Sequence, residues 1–146
     1  MIQIIMKAGI SSFIATLSFA ILFNVKKDKL IYAGIAGAVG GILYKLGVVY
    51  FGWGEYISNF VGAIGLAFVS EVFARYKRTP ISTFLVCALI PLVPGGNLFR
   101  MIVMIMDNKL TLAISYGVMT VAIALVLAIG ILLVSTCFQL YSKAKK

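Results

Sequence analysis

The segment PLVPGGNLFR, residues 91–100, has residue types and spacing that suit the binding of a small anion. Pro91 and Pro94 each remove a backbone donor and clash with the preceding turn, so a helix is interrupted here. A helix that restarts at Gly95 presents free amide N–H groups and the positive end of its dipole. Because Gly95 and Gly96 have no side chain to block approach, the pattern predicts a site for a carboxylate at this break.

Two polar side chains follow the glycines. Asn97 is placed to cap the second half-helix or to contact a hydroxyl or amine of a solute, and Arg100 is placed to add a bidentate guanidinium contact. The alternative is a proline kink satisfied by neighbouring helices, with Arg100 extended toward the membrane interface past Met104 and Asp107. The combination of prolines, paired glycines and arginine favours the functional break, by analogy with discontinuous transporter helices.

Glu71 is the one carboxylate within an apolar stretch, where burial would let it exchange a proton and couple transport to protons. It also lies four residues before Arg75, so a structural ion pair is an equally good interpretation. The chain has no histidine and four carboxylates in all. These few titratable residues form no convincing acid/base pair and have no metal-ligand spacing. We therefore expect neither an enzyme nor a bound metal or cofactor.

These residues must be positioned by membrane helices, since 62% of the chain is hydrophobic and only 12% is charged. Charge clusters divide the sequence into five apolar stretches of spanning length, at about 2–24, 30–51, 56–74, 81–106 and 110–139. We therefore expect one transmembrane domain over residues 1–146, an all-α bundle of five helices whose fourth is broken at Pro91–Gly96. Each half of the fourth span would be roughly 15 Å long, which puts the break near the bilayer midplane.

The basic residues predict the orientation. Nine of the thirteen lie on one side of this arrangement, namely Lys26, Lys27, Lys29, Arg75, Lys77, Arg78, Lys143, Lys145 and Lys146. Basic loops stay in the cytoplasm, so the N-terminus is predicted outside and the C-terminus inside. The net charge of +9 thus indicates the lipid bilayer surface as a partner and not nucleic acid.

Small residues recur at spacings of three and four in the second and third spans, as in GIAGAVGG. The positions are Gly34, Gly37, Gly40, Gly41, Gly62 and Gly65. Such spacing lets helix backbones approach closely in lipid, so we expect these glycines to lie at helix contacts. A substrate groove along them would require that this face border water.

Two segments, ILFNVKKDKLIYAGIAGAVGG (21–41) and EVFARYKRTPISTFLVCALIPLVPGG (71–96), resemble the small membrane subunit of the threonine/serine exporter family. The small subunit of two-component bacterial succinate exporters is similar too. The resemblance extends over nearly the whole chain, and the motif positions are Arg75, Pro80, Pro91, Pro94, Gly95, Gly96 and Arg100. The pair Cys87-Ala88 departs from the Pro-Gly of many relatives, which should leave the first half-helix straighter.

This resemblance implies a multi-pass protein of the bacterial inner membrane that works with a larger companion subunit. It implies a secondary exporter of threonine, serine or a dicarboxylate such as succinate. The five spans show no internal repeat, which fits half of a transporter, since transport paths form between repeats. The alternative function is that of a structural or assembly subunit of a membrane complex without a substrate site of its own. A second copy of this chain is an alternative partner, in a homo-oligomer.

Overall fold

The computed structural model describes residues 2–144, all in helices and short connections, with no strand among them. Lys145 and Lys146, which entered the charge count, lie outside these residues. The helices are α1 (Ile2–Leu22), α2 (Lys27–Val49), α3 (Glu55–Tyr76), α4 (Ser82–Leu89), α5 (Gly95–Met106) and α6 (Leu110–Ala144), with a 3-10 turn at Ile90–Leu92 after α4.

Helices α1, α2 and α3 pack in sequence order through glycines of α2. A Cβ atom at Gly37 would overlap Thr16 of α1, and one at Gly41 would overlap Ser12. Toward α3, Gly47 lies against Ser58 at a distance that leaves no room for a methyl group. The glycines of α2 therefore bring this helix close to both α1 and α3. Gly47 is a further contact position that the sequence analysis did not identify.

Helix α4 closes the core against this three-helix layer. Phe84 is fully buried and its ring contacts Phe73 of α3 edge-on, with ring centroids 6.5 Å apart. One turn beyond α4, Leu92 packs into the space that Gly40 and Gly62 leave open. The end of the broken helix is thus held in a notch between α2 and α3.

Four helices are long and apolar enough to cross a membrane, and there are five if the bent pair α4–α5 is one span. The two halves of this pair meet at 50°. The helical fold and the multiple spans agree with the prediction, and the helix bounds differ from it by a few residues, except that α6 runs to Ala144. The 3-10 turn contains Pro91, and the helical conformation ends after Leu92, before Pro94. The two prolines therefore end α4 by way of a tighter 3-10 turn.

The break does not lie at the middle of α3. Leu92 contacts Gly62, which is about 10 Å along α3 from Glu55 and about 21 Å from Tyr76 by helical rise. The break is therefore closer to the first turn of α3 than to its last turn, and its depth relative to the bilayer midplane stays a prediction.

Helices α5 and α6 form a hairpin that extends past the other helices. Among the described elements α5 contacts α6 alone, and none of its residues is buried. Gly130 of α6 lies against Phe60 and Ala63 of α3, and α6 begins about 30 Å earlier, at Leu110. We call α5 with the first part of α6, residues 95–120, the protruding hairpin.

Candidate functional site: a cavity at the helix break

A cavity of about 210 Å³ lies where the chain leaves α4 and begins α5. Helices α2, α3, α5 and α6 and the break itself contribute to its wall. The lining residues are Tyr44, Glu55, Asn59, Pro91, Leu92, Val93, Pro94, Gly96, Asn97 and Ile123. The interrupted segment is therefore not sealed by neighbouring side chains but borders a small polar space, which is where irregular backbone is tolerated in a membrane protein.

The start of α5 offers two backbone donors to this space. The Leu98 amide donates to the Pro94 carbonyl, and the Gly95 amide donates to Val93. Within residues 2–144, the amides of Gly96 and Asn97 have no backbone acceptor and no side-chain cap. A Cβ atom at Gly96 would have no neighbour within 4 Å, so the approach to these two donors is open.

Helix α3 places a carboxylate and an amide on the opposite wall. Asn59 is only 5% exposed, and its Nδ2 donates to the Glu55 carbonyl at 2.8 Å. Because this bond uses one of the two Nδ2 hydrogens, the Oδ1 atom and the second N–H of Asn59 are left for a solute. The Glu55 side chain forms no ion pair in the described part of the chain, and Tyr44 of α2 adds a phenolic hydroxyl.

The cavity thus combines groups of opposite electrostatic character. Free amide donors at the positive end of α5 border it, and Glu55 contributes a carboxylate to its lining. None of the lining side chains is cationic. This arrangement can hold a small solute that carries both an anionic and a cationic group.

Arg100 lies outside this wall. It is exposed on α5, and its guanidinium carbon is 5.9 Å from the centre of the Tyr116 ring on α6. Thr120 donates to the Tyr116 carbonyl at 2.8 Å, which places a polar strip inside the protruding hairpin. The structure therefore brings Gly96 and Asn97 to the cavity, leaves Gly95 beside it, and gives Arg100 a contact within the hairpin.

Glu71 is far from the cavity, about 18 Å along α3 from Asn59. Its Oε2 is 3.5 Å from Nε of Arg75, and Arg75 also donates to the Phe138 carbonyl at 3.0 Å. The pair joins the end of α3 to α6. The structure thus contains the ion pair between Glu71 and Arg75 that the sequence offered as the alternative to proton exchange.

Sequence reasoning missed Tyr44, Glu55 and Asn59. A signal for Asn59 was present, because it is the one amide in the third span and is three residues before Gly62, on the same helix face. Glu55 lies just before the predicted third span, about 56–74, whereas the structure places it in the first turn of α3. Only the packing of α2 and α3 against the break shows that these residues line the same cavity as Asn97.

Comparison with known proteins gives one family. A family model described as Threonine/Serine exporter, ThrE, matches residues 8–137, most of the 146-residue chain. No solved structure matches the chain.

Proposed function

The chain belongs to the threonine/serine exporter family, a transporter family and not an enzyme class, and we propose that it exports a hydroxy amino acid across the bacterial inner membrane through the cavity at its helix break. The observation that carries this proposal is the pairing of Glu55 with the free amides of Gly96 and Asn97 across one small cavity. Threonine and serine carry the two charges that these groups complement.

In this proposal the substrate carboxylate accepts hydrogen bonds from the Gly96 and Asn97 amides, where the α5 dipole adds to the attraction. The substrate ammonium faces Glu55. The hydroxyl is within the reach of the Asn59 Oδ1 or the Tyr44 hydroxyl, both on the same wall. Interactions with charged partners are stronger than neutral ones and supply most of the affinity.

The charge of the cavity lining favours one of the two substrate classes that the resemblance implies. A dicarboxylate such as succinate would bring two negative charges toward Glu55 with no cationic side chain in the lining to offset them. The volume of the cavity, about 210 Å³, is below the roughly 300–1,000 Å³ of pockets that bind drug-sized ligands, which favours a small solute. The Glu55 carboxylate, and not the volume, favours the amino acid over succinate, since the two solutes are of similar size.

Arg100 and Glu71 have indirect roles in this proposal. Arg100 holds the protruding hairpin through Tyr116 and adds positive potential one turn beyond the amides. Glu71 remains the candidate for proton coupling through opening of its pair with Arg75. Neither side chain lines the cavity.

Export of labelled threonine from loaded cells tests the site. We expect Glu55→Gln to raise the apparent KM by about 10- to 100-fold, which corresponds to the loss of one hydrogen bond to a charged group. Asp107→Asn is the matched control, since Asp107 is a carboxylate at the hairpin tip, paired with Lys109 at 3.6 Å. Equal export by Glu55→Gln and the parent at matched membrane levels would exclude this substrate site.

The partner in this proposal is a larger companion subunit that covers the protruding hairpin. The outward side of α5 is formed by large apolar side chains, among them Phe99 and Ile102, while Asn97 is partly buried and the guanidinium of Arg100 lies over Tyr116 of α6. The hairpin extends past Glu55, the first residue of α3, so these side chains reach beyond the span that the other helices define. A second membrane protein would bury them.

Co-purification with the companion tests this contact. We expect Ile102→Asn to reduce recovery of the companion severalfold, whereas Ile14→Asn on α1 should leave it unchanged, because the two isoleucines are equally exposed at 53% and 57%. Equal recovery in both variants would rule out the hairpin as the contact surface.

The alternative is an assembly subunit without a substrate site, and the large exposed apolar side of α5 is the observation that favours it. It predicts that hairpin variants abolish the complex while Glu55→Gln leaves threonine export intact. The two experiments together therefore distinguish the two functions.

A further inference from the structure

A second cavity, of about 410 Å³, lies at the opposite end of the bundle from the helix break. It is bounded by the connection between α1 and α2 on one side and by the start of α4 on the other. The chain turns sharply here, with Asn24 in the left-handed region at a φ of 55°. No residue of this cavity belongs to the candidate substrate site.

One half of this cavity is basic and polar. Lys26 and Lys29 line it together with the hydroxyl residues Thr79, Ser82 and Thr83. No carboxylate is among the lining residues, and neither lysine forms an ion pair within residues 2–144, where both ion pairs involve other cations. Two uncompensated positive charges beside three hydroxyl groups match the oxygen atoms of a phosphate group.

The other half is apolar and opens to the outside of the bundle. Phe23 and Val86 line it, and both are strongly exposed on a surface that faces lipid in a spanning bundle. A free inorganic anion would gain nothing from this wall. A molecule with a charged head and a hydrocarbon chain would be complementary to both halves.

We propose that this cavity binds the phosphate headgroup of an anionic phospholipid, with Lys26 and Lys29 at the phosphate and the acyl chain along Phe23 and Val86. The basic end of a membrane bundle is where negative headgroups are enriched by surface potential. Bound there, the lipid joins the α1–α2 connection to the start of α4. This inference does not depend on the proposed transport function.

Thermal unfolding of the purified chain in a neutral detergent tests the site. Phosphatidylglycerol is added and compared with phosphatidylcholine of the same acyl chains and with inorganic phosphate. We expect phosphatidylglycerol alone to raise Tm by a few degrees, since a ligand that binds only the folded state stabilises it. In the double variant Lys26→Gln/Lys29→Gln, the lipid concentration that gives half of this shift should rise by about tenfold or more.

Lys27→Gln is the matched control, because Lys27 is the neighbouring lysine and does not line the cavity. It should keep the parent response. An unchanged response in the double variant would overturn the proposal, and so would an equal loss in Lys27→Gln, which would indicate surface charge alone. An equal shift with inorganic phosphate would overturn the lipid assignment, and comparison of Tm without lipid shows whether each variant is folded.

Discussion

Gly95 and Gly96 are neighbours in the sequence, but the structure gives them different surroundings. Gly96 lines the cavity at the helix break, and Gly95 does not. Neither has a heavy atom within 4 Å of an added Cβ, so both differ from the glycines of α2, which are packed against other helices. A methyl group at either position would therefore leave the packing of the bundle unchanged, and at Gly96 it would test access to the cavity.

We expect Gly96→Ala to lower the rate of threonine export while Tm stays equal or rises, since alanine favours helix over glycine by up to about 1 kcal/mol. The methyl group would stand before the free amides of Gly96 and Asn97. Export kinetics together with thermal unfolding check this. Gly95→Ala is the control, and loss of export in that variant alone would contradict the assignment of the cavity.

At the scale of helices, α2 is the element that organises the bundle. Its glycines contact α1 on one side and α3 on the other, and the same helix supplies Tyr44 to the cavity. Thr16 is fully buried in the α1 contact, and its hydroxyl has no hydrogen-bond partner in the described residues. An added side chain on these glycines would therefore push α2 away from α1 or α3 and displace Tyr44 at the cavity.

Gly37→Ala should destabilise the bundle by about 1–3 kcal/mol, the usual cost of overpacking, because the added Cβ would overlap Thr16. Thermal unfolding in detergent measures the effect. Adding Thr16→Ala should recover part of the loss, since it removes the nearest atom and an unpaired hydroxyl. Gly54→Ala, in open surroundings, is the control, and a similar loss there would show that helix contact is not the cause.

For the whole molecule, the charge distribution predicts the orientation, and the two cavities lie at opposite ends. Lys26, Lys29, Lys77 and Arg78 cluster at one end, while the hairpin tip and Glu55 lie toward the other. The positive-inside rule predicts that the basic end is cytoplasmic. In that orientation the proposed lipid cavity would face the inner leaflet, and the cavity at the helix break would lie nearer the outer side.

Labelling of single cysteines with a membrane-impermeant maleimide checks this orientation, after Cys87 and Cys137 are replaced. Asn108→Cys at the hairpin tip should react in intact cells. Lys27→Cys should react only after permeabilisation, because it lies with the basic end. The reverse pattern would place the N-terminus inside.

Sequence by itself determined the helical membrane fold, the position of the break and the family, since apolar length, proline chemistry and motif spacing are properties of local segments. It also identified Gly96 and Asn97. Only the tertiary structure decided what lies opposite them, since Tyr44 and Glu55 reach the break through the packing of α2 and α3. The same holds for Arg100, whose contact with Tyr116 depends on the fold of the hairpin, because side chains distant in sequence meet only where helix packing brings them together.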